Sequence, residues 1–278
     1  MLLLIKLVQA LDQVETFRNY LRSRSERTAD AYARDVKRFL EFIQKKSDQV
    51  TPLDVSAWFQ ELRKNGYSDR SINRFSWSLR KFFTIVGRRD MAEFIETPVY
   101  VPKEAVWLPK DKIEDLLRAA QGYGKLFVST AYDLALRVGE LNLLRREFFN
   151  PETRQVKVYR LKHKGRPNEY ILEVSESTAR LLEKYLKTRT DRNPRIFPVS
   201  TSLVTYYYRK AAKAANINSH EYTFHCLRHS RITHIAIDML QKGGKVDEVR
   251  LAKFAGHLRY ETTLLYVHLA SEYLVFKK

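Results

Sequence analysis

The chain has 278 residues, 44% of them hydrophobic, enough for one large domain or two of ordinary size. Fifty Lys and Arg against 32 Asp and Glu give a formal net charge of +18, which points to a polyanionic partner, nucleic acid ahead of an anionic membrane. The single cysteine, Cys226, excludes an internal disulfide, and no stretch has the length of a membrane span or a signal-peptide cleavage pattern.

The opening MLLLIKLVQAL is apolar but short and interrupted by Lys6, which suits a packing helix. Residues 12–95 read as helical throughout. After the possible caps Ser25 and Thr28, ADAYARDVKRFLEFI sets Tyr32, Val36, Phe39 and Ile43 at helical spacing. Thr51-Pro52 starts the next helix, with Leu53, Ala57 and Leu62 apolar and Asn65-Gly66 as its stop. A third begins near Ser68, with Ile72, Phe75, Leu79, Phe82 and Val86 inward. The expectation is a small bundle with cationic outer faces: Arg34, Lys37, Arg38 and Lys45 on one helix, and Arg70, Asn73, Arg74, Trp77 and Lys81 on another. Plain solvation explains a single basic face. Arg and Asn interleaved with Trp favour DNA, because these side chains contact base edges as well as phosphates. Residues 1–98 carry 18 Lys and Arg against 13 Asp and Glu, a net of +5, so both halves of the chain are basic.

Residues 97–109, TPVYVPKEAVWLP, hold three prolines and no helical period, as a linker would. The expected division is 1–97, a linker at 98–109, and 110–278. A helix starts near Lys110 with Ile113, Leu116 and Leu117 apolar, and Gly122 and Gly124 break it. KLFVSTAYDLALRVGELNLL, 125–144, predicts a buried helix and a second one after Gly139, with Arg137 and Glu140 as charges that need a partner or a task there. The period then changes. QVKVYRL and EYILEV alternate around KHKGRPN, a β-hairpin. Helices resume at 177–188 and 202–215, and the tyrosines at 206–208 lie on the second, where packing is expected. The fold class expected is mainly α with a small β-hairpin.

Six of the seven histidines lie between His220 and His268. The stretch from Thr223 to Ala270 holds His225, Arg228, His229, His257 and Tyr266, with the tyrosine nine residues after His257. Such a set suits attack on a phosphodiester: a tyrosine as nucleophile, arginines on the non-bridging oxygens, histidines moving protons. Arg137 and Arg228 stand in apolar contexts, and Lys162 and Lys164 sit at the hairpin tip, where an ammonium can protonate a leaving 5′ oxygen. Blander readings exist for each: an Arg137–Glu140 structural pair, solvated turn lysines, and a core Tyr266 with Tyr260 as rival nucleophile. His225 and His229 share a helix face as metal ligands can, but the H-E-x-x-H pattern of zinc hydrolases is absent, and a zinc nuclease is a distant rival. Cys226 reads as core.

In order and spacing these motifs resemble the tyrosine recombinase family, the phage-integrase and Xer-type enzymes, archaeal members included. A-L-R-V-G-E-L at 135–141 is similar to that family's first arginine box, with Ala135 where a glycine is common. H-C-L-R-H at 225–229 is similar to its H-x-x-R box, F-A-G-H at 254–257 to its G-H box, and Y-V-H at 266–268 to its tyrosine box. The resemblance covers nearly the whole chain. It implies an N-terminal helical core-binding domain followed by a catalytic domain; the DNA contacts expected on the first are those read from its basic faces, Arg34, Arg38, Arg70, Asn73, Arg74 and Lys81. It also implies roles. Arg137 and Arg228 would clamp the scissile phosphate, with Glu140 orienting Arg137. His225 and His257 would assist proton transfer. Lys164, or Lys162 in its place, would protonate the leaving oxygen, and Tyr266 would form a 3′-phosphotyrosyl link. The implied activity is site-specific recombination of double-stranded DNA by a homotetramer on two sites, in the cytoplasm, with no metal or nucleotide cofactor. The rivals are a type IB-like topoisomerase and an inactive DNA-binding protein.

Overall fold

The computed structural model describes residues 2–23, 25–99, 105–161 and 169–276, and side chains among these from residue 12 onward. The chain divides into two compact units, Met1–Lys103 and Glu104–Lys278.

The first unit is a bundle of α1 (Leu2–Arg22), α2 (Glu26–Ile43), α3 (Pro52–Lys64), α4 (Asp69–Ile85) and the short α5 (Arg89–Phe94). Sequence signals set its helix starts. Ser25 caps α2 by accepting from the Thr28 amide. Thr51 and Asp54 exchange side-chain and backbone bonds as a capping box, with Pro52 at the first helical position. Val36, Phe39, Ile72, Phe75, Leu79 and Phe82 are buried, and Tyr32, Ile43 and Val86 pack against them. Aromatic contacts bind the helices together: Trp58 lies 5.1 Å from Phe39 and 5.3 Å from Phe75, centroid to centroid. One expected face is corrected. Leu53 is 80% exposed and Ala57 is exposed too, because α3 turns Val55, Trp58 and Leu62 to the core. The large Trp58 buries more surface than the leucine it displaces from that role. Side chains of residues 1–11 lie outside those described.

The second unit contains α6 (Lys110–Ala119), α7 (Gly122–Asp133), α8 (Val138–Leu141), α9 (Glu176–Lys187), α10 (Thr201–Ala214), α11 (Cys226–Gly243), α12 (Glu248–Ala255) and α13 (Tyr260–Phe276). Its antiparallel sheet runs β1 (Phe149–Asn150), β2 (Gln155–Tyr159), β3 (Glu169–Glu173) in that order, with Val156 opposite Leu172 and Val158 opposite Tyr170. The two-residue β1 is too short to leave a period in the sequence. Gly122 takes φ +51° and opens α7 directly, and the helix expected after Gly139 begins at Val138 and lasts one turn. The proline-rich stretch is extended at 105–109, where it is fastened to the unit. The Leu108 amide donates to Ser230 Oγ at 2.8 Å, and Trp107 meets His234 and Tyr273 edge-on. Of the three tyrosines, Tyr208 is fully buried while Tyr206 is 59% exposed. Cys226 is buried beside the Tyr208 hydroxyl, and burial pushes its thiol up to about 11.

Candidate active site

Two helix stops build the floor of the site. At the end of α7 the Leu136 amide donates to Ala131 O at 2.9 Å and the Ala135 amide to Tyr132 O at 3.1 Å, a Schellman motif with Ala135 at φ +48°. A left-handed backbone suits glycine and costs an L-residue about 1–2 kcal/mol. This explains why glycine is common at that place in the box. At the end of α12 the His257 amide donates to Ala252 O at 3.0 Å and the Gly256 amide to Lys253 O, with Gly256 at φ +65°. The G-H box is thus a second Schellman stop, and it delivers His257. A Cβ on Gly256 would lie 2.7 Å from Arg160 Cγ, so both the backbone and the neighbouring side chain demand glycine here.

Glu140 sits above this floor, with no exposed surface. Its carboxylate accepts from the Arg137 amide at 3.0 Å, Arg137 Nη1 at 2.6 Å, Arg160 Nη1 at 3.1 Å and the Leu161 amide at 3.1 Å, and it lies 3.7 Å from Arg228 Nη1. Burial pushes the carboxyl pKa up, but Arg160, Arg228 and Arg137 outweigh burial and hold it below the usual range. Arg228 donates to Ala135 O at 2.7 Å and Ala255 O at 2.6 Å. Arg160 donates to Ala135 O, Leu134 O and Phe254 O. Burial lowers the pKa of both buried guanidiniums, and so does the positive charge of their neighbours, while Glu140 keeps them charged. The centre therefore holds three guanidiniums against one carboxylate, with Arg137 the most open of the three.

Tyr266, on α13, is 3% exposed, and its hydroxyl shares a 2.7 Å hydrogen bond with His229 Nδ1. The His257 ring stacks on the phenol at 5.3 Å and 16°, and its Nδ1 is bonded to the buried Thr263 at 3.0 Å. The exposed His225 ring lies 4.5 Å from that of His229. Burial raises the Tyr266 pKa, and Arg228 and Arg137 pull the other way. Burial first, and then the cations around them, lower His229 and His257 to about 3, so both are neutral imidazoles at pH 7. Tyr260, by contrast, is 55% exposed at the start of α13.

The structure thus brings together Arg137, Glu140, Arg228, His257 and Tyr266, with His225 at the edge through His229. Lys162 and Lys164 lie outside the described residues, but the strand that leads to them is pinned by the Leu161 amide on Glu140. Among the described residues, no group of three or more His, Cys, Asp or Glu could hold a metal ion. Two members of the site stand outside the catalytic set expected from the sequence. The sequence offers His229 among the histidines that could move protons, and with His225 as a possible metal ligand, but gives it no place in the expected catalytic set. Arg160 carried a legible signal, because Val156 and Val158 point inward on β2 and period two makes 160 the next inward position. In the first unit Arg34, Arg38, Arg70 and Arg74 are exposed, and Asn73 and Lys81 half-buried. Several of these already have partners: Arg74 pairs with buried Asp35, Arg38 donates to Tyr67 Oη at 2.9 Å, and the Asn73 amide donates to Pro98 O at 2.8 Å.

Comparison with known proteins agrees with this geometry. The phage integrase family matches residues 106–272, over half the chain, and the phage integrase N-terminal SAM-like domain matches 14–90. The tyrosine recombinase XerA of Pyrococcus horikoshii is 28% identical over 276 residues, which span 95% of this chain and 91% of that one. A tyrosine recombinase of Thermosipho africanus is 29% identical over 285 residues, 93% and 95% of the two chains. Among solved structures, XerH site-specific recombinase bound to its difH substrate aligns with a TM-score of 0.69 at 16% identity, covering 96% of this chain and 84% of that one. A lambda integrase tetramer bound to a Holliday junction aligns at 0.71 and 16%, covering 92% and 76%. At these identities the structural likeness speaks for the fold. The chain that carries these two arginine boxes, the Gly-His stop and the buried tyrosine thus belongs to the phage integrase family, the tyrosine recombinases.

Proposed function

We propose that this enzyme carries out site-specific recombination of double-stranded DNA, with Tyr266 as the nucleophile. Its hydroxyl attacks the scissile phosphorus and displaces the 5′ oxygen, leaving a 3′-phosphotyrosyl ester that a second 5′ end reverses without ATP. Arg137 and Arg228 hold the non-bridging oxygens, and Glu140 aims them. His225 and His257 line the phosphate, and Lys164, or Lys162, protonates the leaving oxygen. The observation that carries this reading is charge. Three guanidiniums and one carboxylate leave a cationic surplus next to the Tyr266 hydroxyl, and a phosphodiester is the anion that such a surplus stabilises in its five-coordinate transition state.

The basic helices of the first unit, through Arg34, Arg38, Arg70, Asn73, Arg74 and Lys81, supply contacts to the duplex. Four protomers act on two sites in the cytoplasm and exchange strands in pairs through a Holliday junction. The tetrameric lambda integrase neighbour supports that arrangement. The test is a duplex whose cleavage releases a short downstream fragment bearing the free 5′ hydroxyl, so that the covalent adduct accumulates, incubated in EDTA. Wild type gives the adduct and Tyr266→Phe gives none. An adduct that survives in Tyr266→Phe overturns the assignment. Relaxation of supercoiled DNA with no recombinant product would favour a topoisomerase instead.

A further inference from the structure

We propose that His229 is a catalytic residue of strand cleavage: its Nδ1 takes the phenolic proton of Tyr266 as the tyrosyl oxygen bonds to phosphorus, and gives it back when the ester is reversed. This rests on Tyr266 being the nucleophile. Of the three histidines at the site, His229 is the one whose ring nitrogen meets the hydroxyl, at 2.7 Å and with ring planes 24° apart. His257 lies against the phenol ring and commits Nδ1 to Thr263. His225 stands at the exposed start of α11, one turn before His229.

The step balances. The O–H bond of Tyr266 breaks as the bond between its oxygen and phosphorus forms, and His229 becomes an imidazolium. The bond from phosphorus to the 5′ oxygen breaks, and that oxygen takes a proton from the general-acid lysine. Religation runs the same transfers backwards.

The surroundings make this base conditional on the substrate. Positive or protonatable groups face His229 from every element packed on it: His225 and Arg228 on α11, Arg137 before α8, and His257 after α12, with Tyr266 opposite on α13. Burial first, and then their charges, hold the imidazole neutral and disfavour its protonation, while burial keeps the phenol protonated. In the absence of DNA the pair is therefore a hydrogen bond and not an ion pair. A phosphodiester seated on Arg137 and Arg228 offsets the part of the shift that those charges supply, so the anion to be attacked also strengthens the base.

The test uses the full-length enzyme and two suicide duplexes, one ordinary and one with sulfur replacing the 5′ bridging oxygen. The sulfur leaves as a thiolate and needs no acid. His229→Asn keeps an acceptor near the Nδ1 position without a basic nitrogen, and His229→Ala removes both. Both variants should form adduct about 100-fold or more slowly on both duplexes, the range general bases supply. Exogenous imidazole should restore part of the His229→Ala rate, rising with its free-base fraction. A Lys164 or Lys162 variant should instead be restored by the sulfur duplex. The proposal is overturned if His229→Asn cleaves within about threefold of wild type, since an acceptor alone would then suffice. It is overturned equally if sulfur restores the His229→Asn rate, because the lost group would then be the acid. Melting and DNA binding are measured first, and if His229→Ala does not fold, His229→Asn decides. Wild type and Tyr266→Phe run alongside: adduct in both shows that the tyrosine assignment, not the histidine, has failed.

Discussion

Replacing Gly256 by alanine probes the tightest packing around the buried arginines. The new Cβ would lie 2.7 Å from Arg160 Cγ and 3.2 Å from its Cδ and Nε. Arg160 cannot step aside, because it is fully buried and its guanidinium is held by Glu140 and by three carbonyls. Overpacking of this kind costs about 1–3 kcal/mol. The positive φ adds about 1–2 kcal/mol for a residue with a Cβ. A total near 3 kcal/mol lowers the melting temperature by about 6–12 °C for a unit of this size. The assay is thermal unfolding of four proteins: wild type, Gly256→Ala, Arg160→Ala and the double variant. Arg160→Ala removes the three atoms nearest the new Cβ, so Gly256→Ala should cost little beyond its backbone part there. The coupling should be about 1–3 kcal/mol. Equal losses in both backgrounds would refute the contact as the reason for glycine. Adduct formation should fall in Gly256→Ala as well, because any shift of Arg160 disturbs Glu140.

Glu140→Gln removes the carboxylate from among three arginines and should destabilise by about 3–5 kcal/mol, with adduct formation falling alongside. Because the folded-state pKa of Glu140 is depressed, its contribution is present above the unfolded value near 4.5 and is lost as pH falls through the folded one. Melting curves below pH 4.5 should therefore be flatter in Glu140→Gln than in wild type. The buried neutral histidines act at higher pH. His229 and His257, lowered to about 3, and His234, lowered to about 4, each bind a proton more readily unfolded. Stability should fall as pH drops below about 6.5, by up to about 1.4 kcal/mol per pH unit for each, and His234→Asn should remove one share of that slope. On the first unit, Arg34→Ala should reduce the salt dependence of DNA binding by about one phosphate contact with stability unchanged. Arg74→Ala should also lower the melting temperature, since Asp35 loses its ion-pair partner and keeps only the Ser78 hydroxyl bond.

What the sequence made legible follows from how local each cause is. Caps and helical spacing act within a few residues, so Ser25, Thr51-Pro52 and the inward faces of α2 and α4 could be read directly. α3 is read on the wrong face although its spacing is legible: Val55, Trp58 and Leu62 stand at i, i+3 and i+7 on one side, where they pack against α2 and α4, while Leu53 lies nine residues from Leu62, on the opposite side. The ordered boxes located Arg137, Arg228, His257 and Tyr266. They did not show which histidine meets the phenol. That depends on how α13 lies across α11, a contact between positions 37 residues apart. The inward position of Arg160 is legible from the period of β2, but apart from Glu140 its partners are carbonyls at the ends of α7 and α12, which no residue type announces.

Those carbonyls bear on how the site gathers cations at all. The end of a helix leaves carbonyls without intrahelical partners and concentrates partial negative charge. Here two such ends converge. Leu134 and Ala135 past α7, and Phe254 and Ala255 at the end of α12, take the guanidiniums of Arg160 and Arg228. Each helix is stopped by a left-handed residue, Ala135 or Gly256, which turns the chain so that the next residues bring Arg137 and His257 into the site. The same two turns therefore end a helix, expose carbonyls that anchor buried arginines, and deliver a further functional side chain. Glu140 alone could not offset three guanidiniums in a dry interior, and the helix ends make up part of the difference. The remainder is positive charge held in place before any phosphate arrives. If cleavage takes place here as proposed, a centre of this kind needs no reorganisation when the transition state forms, and substitutions at the two turns should slow it even where Arg137 and Arg228 are intact.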